Sequence, residues 1–62
     1  MYFYYIVKLI TDDTKVYLTN EKDEVMEIKT AEEFKKDCLA AWLEVIKIEP
    51  INGFEVEIQV KS

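Results

Sequence analysis

The chain has 62 residues, of which 50% are apolar and 13% aromatic, and its 13 acidic and 8 basic side chains give a formal net charge of -5. One glycine, one proline and this apolar fraction exclude collagen-like, low-complexity and intrinsically disordered chains. A chain of this size forms one small α+β domain, residues 1–62, and buries only about 60% of the surface that its unfolded form exposes. We therefore expect part of the apolar content to remain on the surface.

The charge balance argues against two classes of partner. Every basic residue is a lysine, and acids outnumber bases, whereas nucleic-acid binding depends on Lys and Arg contacts to phosphate. Anionic membranes are disfavoured for the same reason, and the apolar run at residues 1–7 is too short to span a bilayer. We predict no nucleic-acid and no membrane partner, and a basic protein partner is electrostatically compatible.

The first segment, residues 2–10, is β-branched and aromatic with no residue that breaks a strand. Phe3, Tyr5 and Val7 are apolar at one parity, and the other parity is apolar except at Lys8. A strand covered on both sides has this pattern. The pattern predicts a central strand.

Two further strands follow, separated by polar turns. Residues 15–19 and 25–29 alternate between apolar and polar side chains. Residues 11–14 and 20–24 are rich in Asp, Asn and Thr, which bond their own backbone in turns. The first three predicted strands therefore form a meander.

A capping box, Thr30-Ala31-Glu32-Glu33, predicts the start of a helix at Thr30. Helix-forming residues continue to about residue 47 without Gly or Pro. The apolar residues of this segment recur at helical spacing, so they predict one face packed on the sheet, with Cys38 and Trp42 in the core. That face is Phe34, Cys38, Ala41, Trp42 and Val45.

The last segment, residues 54–61, follows an Asn52-Gly53 turn and alternates between apolar and polar residues throughout. It predicts a half-buried strand. The element order is then β-β-β-α-β, an α+β fold with a four-stranded, mostly antiparallel sheet and one helix packed on one face. Numbered along the chain, these strands are expected in the order 3-2-1-4, because the apolar first segment favours an interior position.

One helix covers only one face of such a sheet, so the apolar residues of the back face and the helix flank are left exposed. Tyr is common in protein contacts because its ring is apolar while its hydroxyl stays hydrated. The alternative is a half-exposed surface that reflects β-propensity alone. The residues that we predict to form an interaction surface are Tyr2, Tyr4, Ile6, Ile10, Tyr17, Leu39, Leu43 and Ile46.

The residues for ordinary catalytic and metal sites are scarce. There is no histidine, Cys38 is the single cysteine and Ser62 the single serine. A zinc site needs several Cys or His ligands, and a phosphate-binding loop needs more than one glycine. We predict no enzyme activity, cofactor or metal, and a single cysteine favours the reducing cytoplasm.

The leading hypothesis is a non-catalytic protein–protein interaction module, an inhibitor or adaptor of the kind found among viral and mobile-element genes. It would act through the aromatic patch or through an acidic rim that mimics nucleic acid. The alternatives are a homo-oligomeric structural subunit, a single-stranded nucleic-acid binder and a ligand site between subunits. A homodimer is expected because so small a core has no disulfide or metal to support it. The rim consists of Asp12, Asp13, Asp23, Glu24, Glu55 and Glu57.

Overall fold

The computed structural model describes residues 1–61, which form a four-stranded sheet and two short helices. Along the chain the elements are α1 (Phe3–Val7), β1 (Lys15–Thr19), β2 (Val25–Thr30), α2 (Ala31–Lys35), β3 (Glu44–Asn52) and β4 (Glu55–Lys61). Two antiparallel pairs, β1 with β2 and β3 with β4, are joined by a parallel pairing of β1 with β4. The sheet order is β2-β1-β4-β3.

The α+β class and the four-stranded, mostly antiparallel sheet are confirmed. The predicted strands at residues 15–19, 25–29 and 54–61 match β1, β2 and β4 within a residue at each end. Two segments differ from the prediction. The first contains a helix in place of a strand, and the long helix is replaced by the short α2, a turn and the strand β3.

The first segment lies on the sheet as a helix because its apolar residues also fit helical spacing. Phe3 and Val7 are buried, and Ile6 and Ile10 pack partly buried against the core. These positions are separated by three or four residues, so they share one face of a helix. The predicted strand order 3-2-1-4 is therefore wrong, because the first segment is not in the sheet. The position beside β1 is taken by β4, whose alternating pattern suits the centre of the sheet.

The helix at Thr30 begins as predicted, since Thr30 Oγ1 accepts the Glu33 amide and the Glu33 carboxylate accepts the Thr30 amide. It ends at Lys35 rather than near residue 47. The Asp37 carboxylate accepts the backbone N–H groups of Leu39 and Ala40, at 3.0 and 3.2 Å, and so holds the chain in a turn. Asp side chains compete with helical hydrogen bonds in this way.

The core lies between the two helices and one face of the sheet, which we call the helix face. Val16 is paired with Val56, and Leu18 with Ile58, so these side chains point to the same side. Phe3 and Phe34 meet over them edge to face, with ring centroids 5.1 Å apart. The buried apolar residues are Phe3, Val7, Val16, Leu18, Ala31, Phe34, Ala40, Ile58 and Val60.

The other side of the sheet, the open face, is covered by neither helix. It carries Tyr17, Glu55 and Glu57, which alternate with the buried residues of β1 and β4. Ile28 is paired with Tyr17 and therefore lies on this face, where it is exposed. The alternation of residues 25–29 does not place their apolar side chains in the core, because Val16 and Leu18 are opposed by Lys29 and Glu27 and both Met26 and Ile28 are exposed.

Candidate interaction surface

Four exposed aromatic residues form one contiguous group, which we call the aromatic cluster: Tyr2, Tyr4, Tyr5 and Trp42. The Trp42 ring stacks on Tyr4, with centroids 6.1 Å apart, and meets Tyr2 edge to face at 5.8 Å. Tyr4 and Tyr5 meet edge to face at 5.4 Å. Each ring is therefore oriented by at least one other ring.

Backbone hydrogen bonds hold the two segments that carry the aromatic cluster. Phe3 N–H donates to the Leu43 carbonyl at 2.8 Å, and Tyr4 N–H donates to the Ala41 carbonyl at 2.9 Å. The cluster therefore joins α1 to the chain around Trp42, although almost forty residues separate them in sequence. The Phe3 side chain is buried in the core, so the tyrosines on either side of it point toward solvent.

The aromatic cluster is open to solvent. Trp42 is 65% exposed and Tyr5 53%, while Tyr4 is 37% exposed. The Lys8 ammonium lies 4.9 Å from the centroid of the Tyr4 ring, a cation–π arrangement. Large aromatic rings that remain this exposed in a small domain are typical of interaction surfaces.

The predicted interaction residues are divided among several places. Tyr2 and Tyr4 are exposed in the aromatic cluster, but on α1 and its N-terminal flank, not on the back of the sheet as expected. Tyr17 lies on the open face. Leu39 is exposed in the turn after α2, and Ile46 is exposed on β3. The remaining three pack partly buried against the core: Ile6, Ile10 and Leu43.

Two residues of the aromatic cluster are absent from the predicted surface. The sequence pattern predicts Tyr5 on a strand covered on both sides, and Trp42 on the core face of a long helix. The expectation that Trp42 and Cys38 are core residues is wrong, since both are exposed. Phe3, Ile6, Val7 and Ile10 fall at helical spacing, the signal that would have placed the tyrosines outside.

The residues of the predicted acidic rim bond mainly within the chain. Asp12 pairs with the Lys35 ammonium at 2.5 Å, and Asp23 accepts from the Gln59 amide at 3.2 Å. Glu24 accepts from Asn20 at 3.0 Å, and Glu57 accepts from the Thr19 hydroxyl at 3.4 Å. Asp13 is exposed beside Asp12. These carboxylates lie at both ends of β1 and on the open face, so they do not form one compact group.

Glu55 is the most constrained carboxylate of the rim. It accepts a hydrogen bond of 2.5 Å from the Tyr17 hydroxyl and one of 2.8 Å from Asn52. The Tyr17 bond lowers the pKa of Glu55, because it favours the charged form, and it raises the pKa of Tyr17. This hydrogen bond links Tyr17 of β1 to Glu55 of β4 on the open face.

The described part of the chain offers little for catalysis or metal binding. Residues 1–61 enclose no pocket and bring together no group of three or more His, Cys, Asp or Glu side chains that could hold a metal ion. Cys38 is a free, exposed thiol. Within the same residues no helix has the length and apolar character needed to cross a membrane.

Comparison of the chain with protein-family models, with curated proteins and with solved structures gave no match.

Proposed function

We propose that the protein is a non-catalytic interaction module that binds another protein through the aromatic cluster of Tyr2, Tyr4, Tyr5 and Trp42. The observation that carries this proposal is the mutual contact of four rings that all remain exposed. Tyr and Trp are the residues most enriched among those that dominate binding energy at protein interfaces. A surface of this kind gains most from burial against a complementary partner.

The aromatic cluster is ordered before any partner binds. Trp42 contacts two tyrosine rings, and the backbone on both sides is held by the hydrogen bonds between α1 and the segment at Ala41 and Leu43. Side chains that are already oriented lose little conformational entropy on binding. This preorganisation supports a binding role more strongly than exposure of single rings would.

The net charge of -5 favours a basic partner, because complementary long-range charge increases the rate of association. The aromatic cluster itself is not acidic, since Lys8 lies against Tyr4. We infer that the cluster supplies the contact energy while the acids of the rest of the surface guide a basic partner toward it. The same composition disfavours nucleic acid as that partner.

The nucleic-acid mimic is the weaker form of the proposal. It requires a row of free carboxylates, whereas Glu55 and Glu57 are bonded to Tyr17 and Thr19. Lysines also interrupt the open face: Lys15 is paired in register with Glu55, and Lys47 with Gln59. The aromatic cluster therefore carries the proposal. We place the module in the cytoplasm, where an exposed thiol such as Cys38 stays reduced.

The decisive experiment uses Trp42, the single tryptophan of the chain, as the probe. Proteins that bind the wild type are captured, purified and titrated into it while the Trp42 emission is recorded. Binding at the cluster is expected to shift the emission to shorter wavelength, because the indole leaves water. Tyr4→Asp is expected to abolish binding.

The matched control is Phe54→Ala, since Phe54 is an equally prominent aromatic residue, 76% exposed, that lies outside the aromatic cluster. Binding is expected to survive this change. A partner that binds Tyr4→Asp as tightly as the wild type, without moving the Trp42 emission, would contradict the proposal.

The second candidate is a homo-oligomeric structural subunit that uses the aromatic cluster for self-association. It is favoured by the exposure of the stacked Tyr4 and Trp42 rings, which a second copy of the chain would bury. In that case Tyr4→Asp lowers the mass of the free protein in sedimentation. A surface kept for a foreign partner leaves that mass unchanged.

A further inference from the structure

At alternate residues of β2, the backbone N–H and C=O groups point away from the rest of the sheet. β2 is an outer strand of the described sheet. The Ala31 N–H donates to the Thr14 carbonyl at 2.8 Å, so Ala31 faces β1. Antiparallel strands alternate the direction of their backbone groups. The backbone N–H and C=O groups of Lys29 and Glu27 therefore also point toward β1, while those of Ile28 and Thr30 point away from it.

The capping box agrees with this assignment. The Thr30 N–H donates to the Glu33 carboxylate at 3.1 Å rather than to β1. Ile28 is left in the middle of the outward edge, with an N–H and a C=O that point away from β1. An outer strand with such groups is a template for another strand.

The side chains next to Ile28 carry opposite charges. Glu27 and Lys29 lie on the same face of β2 and form an ion pair within the chain. If two copies of β2 run antiparallel about a twofold axis at Ile28, each Glu27 lies opposite the Lys29 of the other copy. These flanking positions would be the non-hydrogen-bonded pairs, in which side chains approach most closely.

Other registers lose this match. An axis at Glu27 would bring two glutamates face to face, and an axis at Lys29 would do the same to two lysines. Like charges directly opposite each other are destabilising, while opposite charges stabilise the pair. The register centred on Ile28 also brings the exposed Ile28 side chains, each 47% exposed, together on the open face.

The second outer strand, β3, repeats the pattern as Lys47-Ile48-Glu49 but is protected. Pro50 has no N–H to offer to a neighbouring strand. The register of β3 shifts at Val45/Lys47 and again at Pro50/Asn52. Proline and bulges are the features by which outer strands avoid pairing. β2 has no proline, and its bulge at Met26, where Leu18 pairs with Glu27 and Thr19 with Val25, leaves residues 27–30 in regular pairing with β1.

We propose that two copies of the chain associate through β2, antiparallel and centred on Ile28, to form one continuous eight-stranded sheet. Ile28 exchanges both backbone hydrogen bonds with its copy, and the two Glu27–Lys29 pairs fix the register. This inference is independent of the proposed function, because the dimer leaves the aromatic cluster uninvolved.

Exchanging the charges of Glu27 and Lys29 tests the proposed dimer. Sedimentation equilibrium is expected to show a reversible dimer of the wild type at concentrations up to about 1 mM, the scale of a weak specific contact. Glu27→Lys places like charges opposite each other and is expected to weaken the dimer about 10-fold or more. Lys29→Glu is expected to do the same. The double variant E27K/K29E restores the pairing and is expected to restore the dimer. Because both variants at Lys29 also remove its ion pair with Asp37, circular dichroism verifies that each variant is folded.

Mixing the two single variants distinguishes a lost contact from a lost fold. Equal amounts of Glu27→Lys and Lys29→Glu chains are expected to form a heterodimer, because every opposed pair is again one lysine and one glutamate. The matched control is Lys47→Glu with Glu49→Lys on β3, which is expected to leave the mass unchanged.

Amide exchange supplies the second measurement. The Ile28 N–H is expected to exchange more slowly as the protein concentration rises, while amides of β3 do not change. A wild type that stays monomeric at 1 mM overturns the proposal. So does a mixture of the two single variants that fails to assemble while both are folded, or an Ile28 amide whose exchange is independent of concentration.

The outcomes separate the two proposals. If the β2 dimer is absent but a partner still binds at the aromatic cluster and shifts the Trp42 emission, only the dimer proposal is contradicted. A dimer that Tyr4→Asp dissociates, while the charge exchange on β2 has no effect, would assign self-association to the aromatic cluster and overturn the β2 arrangement.

Discussion

Two groups of aromatic residues lie side by side in this protein but have opposite roles. Phe3 and Phe34, the interior pair, are 0% and 1% exposed and meet at the centre of the core. The rings of the aromatic cluster, such as Trp42, make similar ring contacts but remain in water. Edge-to-face ring contacts occur in both groups, so the difference between them lies in burial.

Consecutive residues belong to the two groups: Phe3 is buried, and its neighbours Tyr2 and Tyr4 are exposed. Helical geometry turns Phe3 inward and leaves the tyrosines on either side of it exposed. A strand would have placed Tyr5 on the same side as Phe3, whereas the helix leaves Tyr5 exposed. The short α1 therefore lets one run of aromatic sequence serve both the core and the surface.

The largest effect is expected from breaking the interior pair. Phe3→Ala leaves a cavity over the sheet and is expected to cost about 3–5 kcal/mol in the free energy of unfolding. A chain of this length has about 3–9 kcal/mol in total, so much of the stability is lost. Urea denaturation followed by circular dichroism measures the change. Tyr5→Ala, in the exposed group, is the control and is expected to change stability little.

If Phe3→Ala proves too unstable to measure, Phe3→Leu keeps most of the apolar volume. It is expected to cost about 1–3 kcal/mol, still more than Tyr5→Ala. Equal losses for the interior and the exposed positions would contradict the division between the two groups.

A smaller loss is expected at the start of α2, the helix that carries Phe34. Thr30→Ala removes the hydroxyl that accepts the Glu33 amide at 3.3 Å and is expected to cost about 1 kcal/mol. Thr30→Ser keeps that oxygen and is expected to retain most of the stability. Thermal unfolding of the two variants under one buffer condition makes the comparison, and equal melting temperatures would show that the cap contributes nothing.

Removing a ring of the aromatic cluster is expected to affect stability still less. Trp42→Ala loses contacts to Tyr2 and Tyr4, but Trp42 is 65% exposed, so the expected cost is about 0.5 kcal/mol. The same variant is expected to lose binding to the partner. Urea midpoints measured beside those of Phe3→Ala check the first statement. A loss as large as that of Phe3→Ala would make Trp42 a core residue after all.

The smallest expected effect depends on pH and concerns Asp37, between Phe34 and Trp42. The backbone N–H of Ala40 lowers the pKa of Asp37 in the folded chain, with smaller contributions from Lys29 and Leu39. The charged carboxylate therefore stabilises the fold above about pH 4, the usual value of an unfolded aspartate, and this contribution is lost as pH falls through the folded pKa.

Asp37→Asn keeps an oxygen for the Leu39 and Ala40 amides but removes the charge. It is expected to be less stable than the wild type at pH 7, and the difference is expected to shrink below pH 4. Chemical denaturation at pH 7 and at pH 3 measures both. A difference that does not depend on pH would show that the charge of Asp37 has no part in holding the turn.

The sequence predicts the parts of the fold whose patterns allow one interpretation. Strict alternation in residues 54–61 and the capping box at Thr30 correspond to β4 and to the start of α2. The run at residues 2–10 is apolar at almost every position, so it fits a covered strand and a packed helix equally well. Contact with the sheet and with the chain near Leu43 decides between them.

The secondary structure of residues 36–52 could not be predicted for a different reason. Its first half has good helix formers, and five apolar residues fit a helical face by chance. The β-branched residues Val45, Ile46, Ile48 and Ile51 favour a strand, and Pro50 is tolerated because β3 is an outer strand. Of the aromatic cluster, Tyr2 and Tyr4 could be predicted as exposed, while Trp42 depended on where α2 ends.

The parallel pairing of β1 with β4 also sets the order in which the chain can fold. Both hairpins, β1 with β2 and β3 with β4, join neighbouring segments, whereas Lys15 near the start of the chain pairs with Glu55 near its end. Closing so long a loop costs entropy that no local contact repays. The core takes Val16 and Leu18 from β1 and Ile58 and Val60 from β4, so it is complete only when the two hairpins have paired. A nascent chain that has not yet reached β4 lacks Ile58 and Val60.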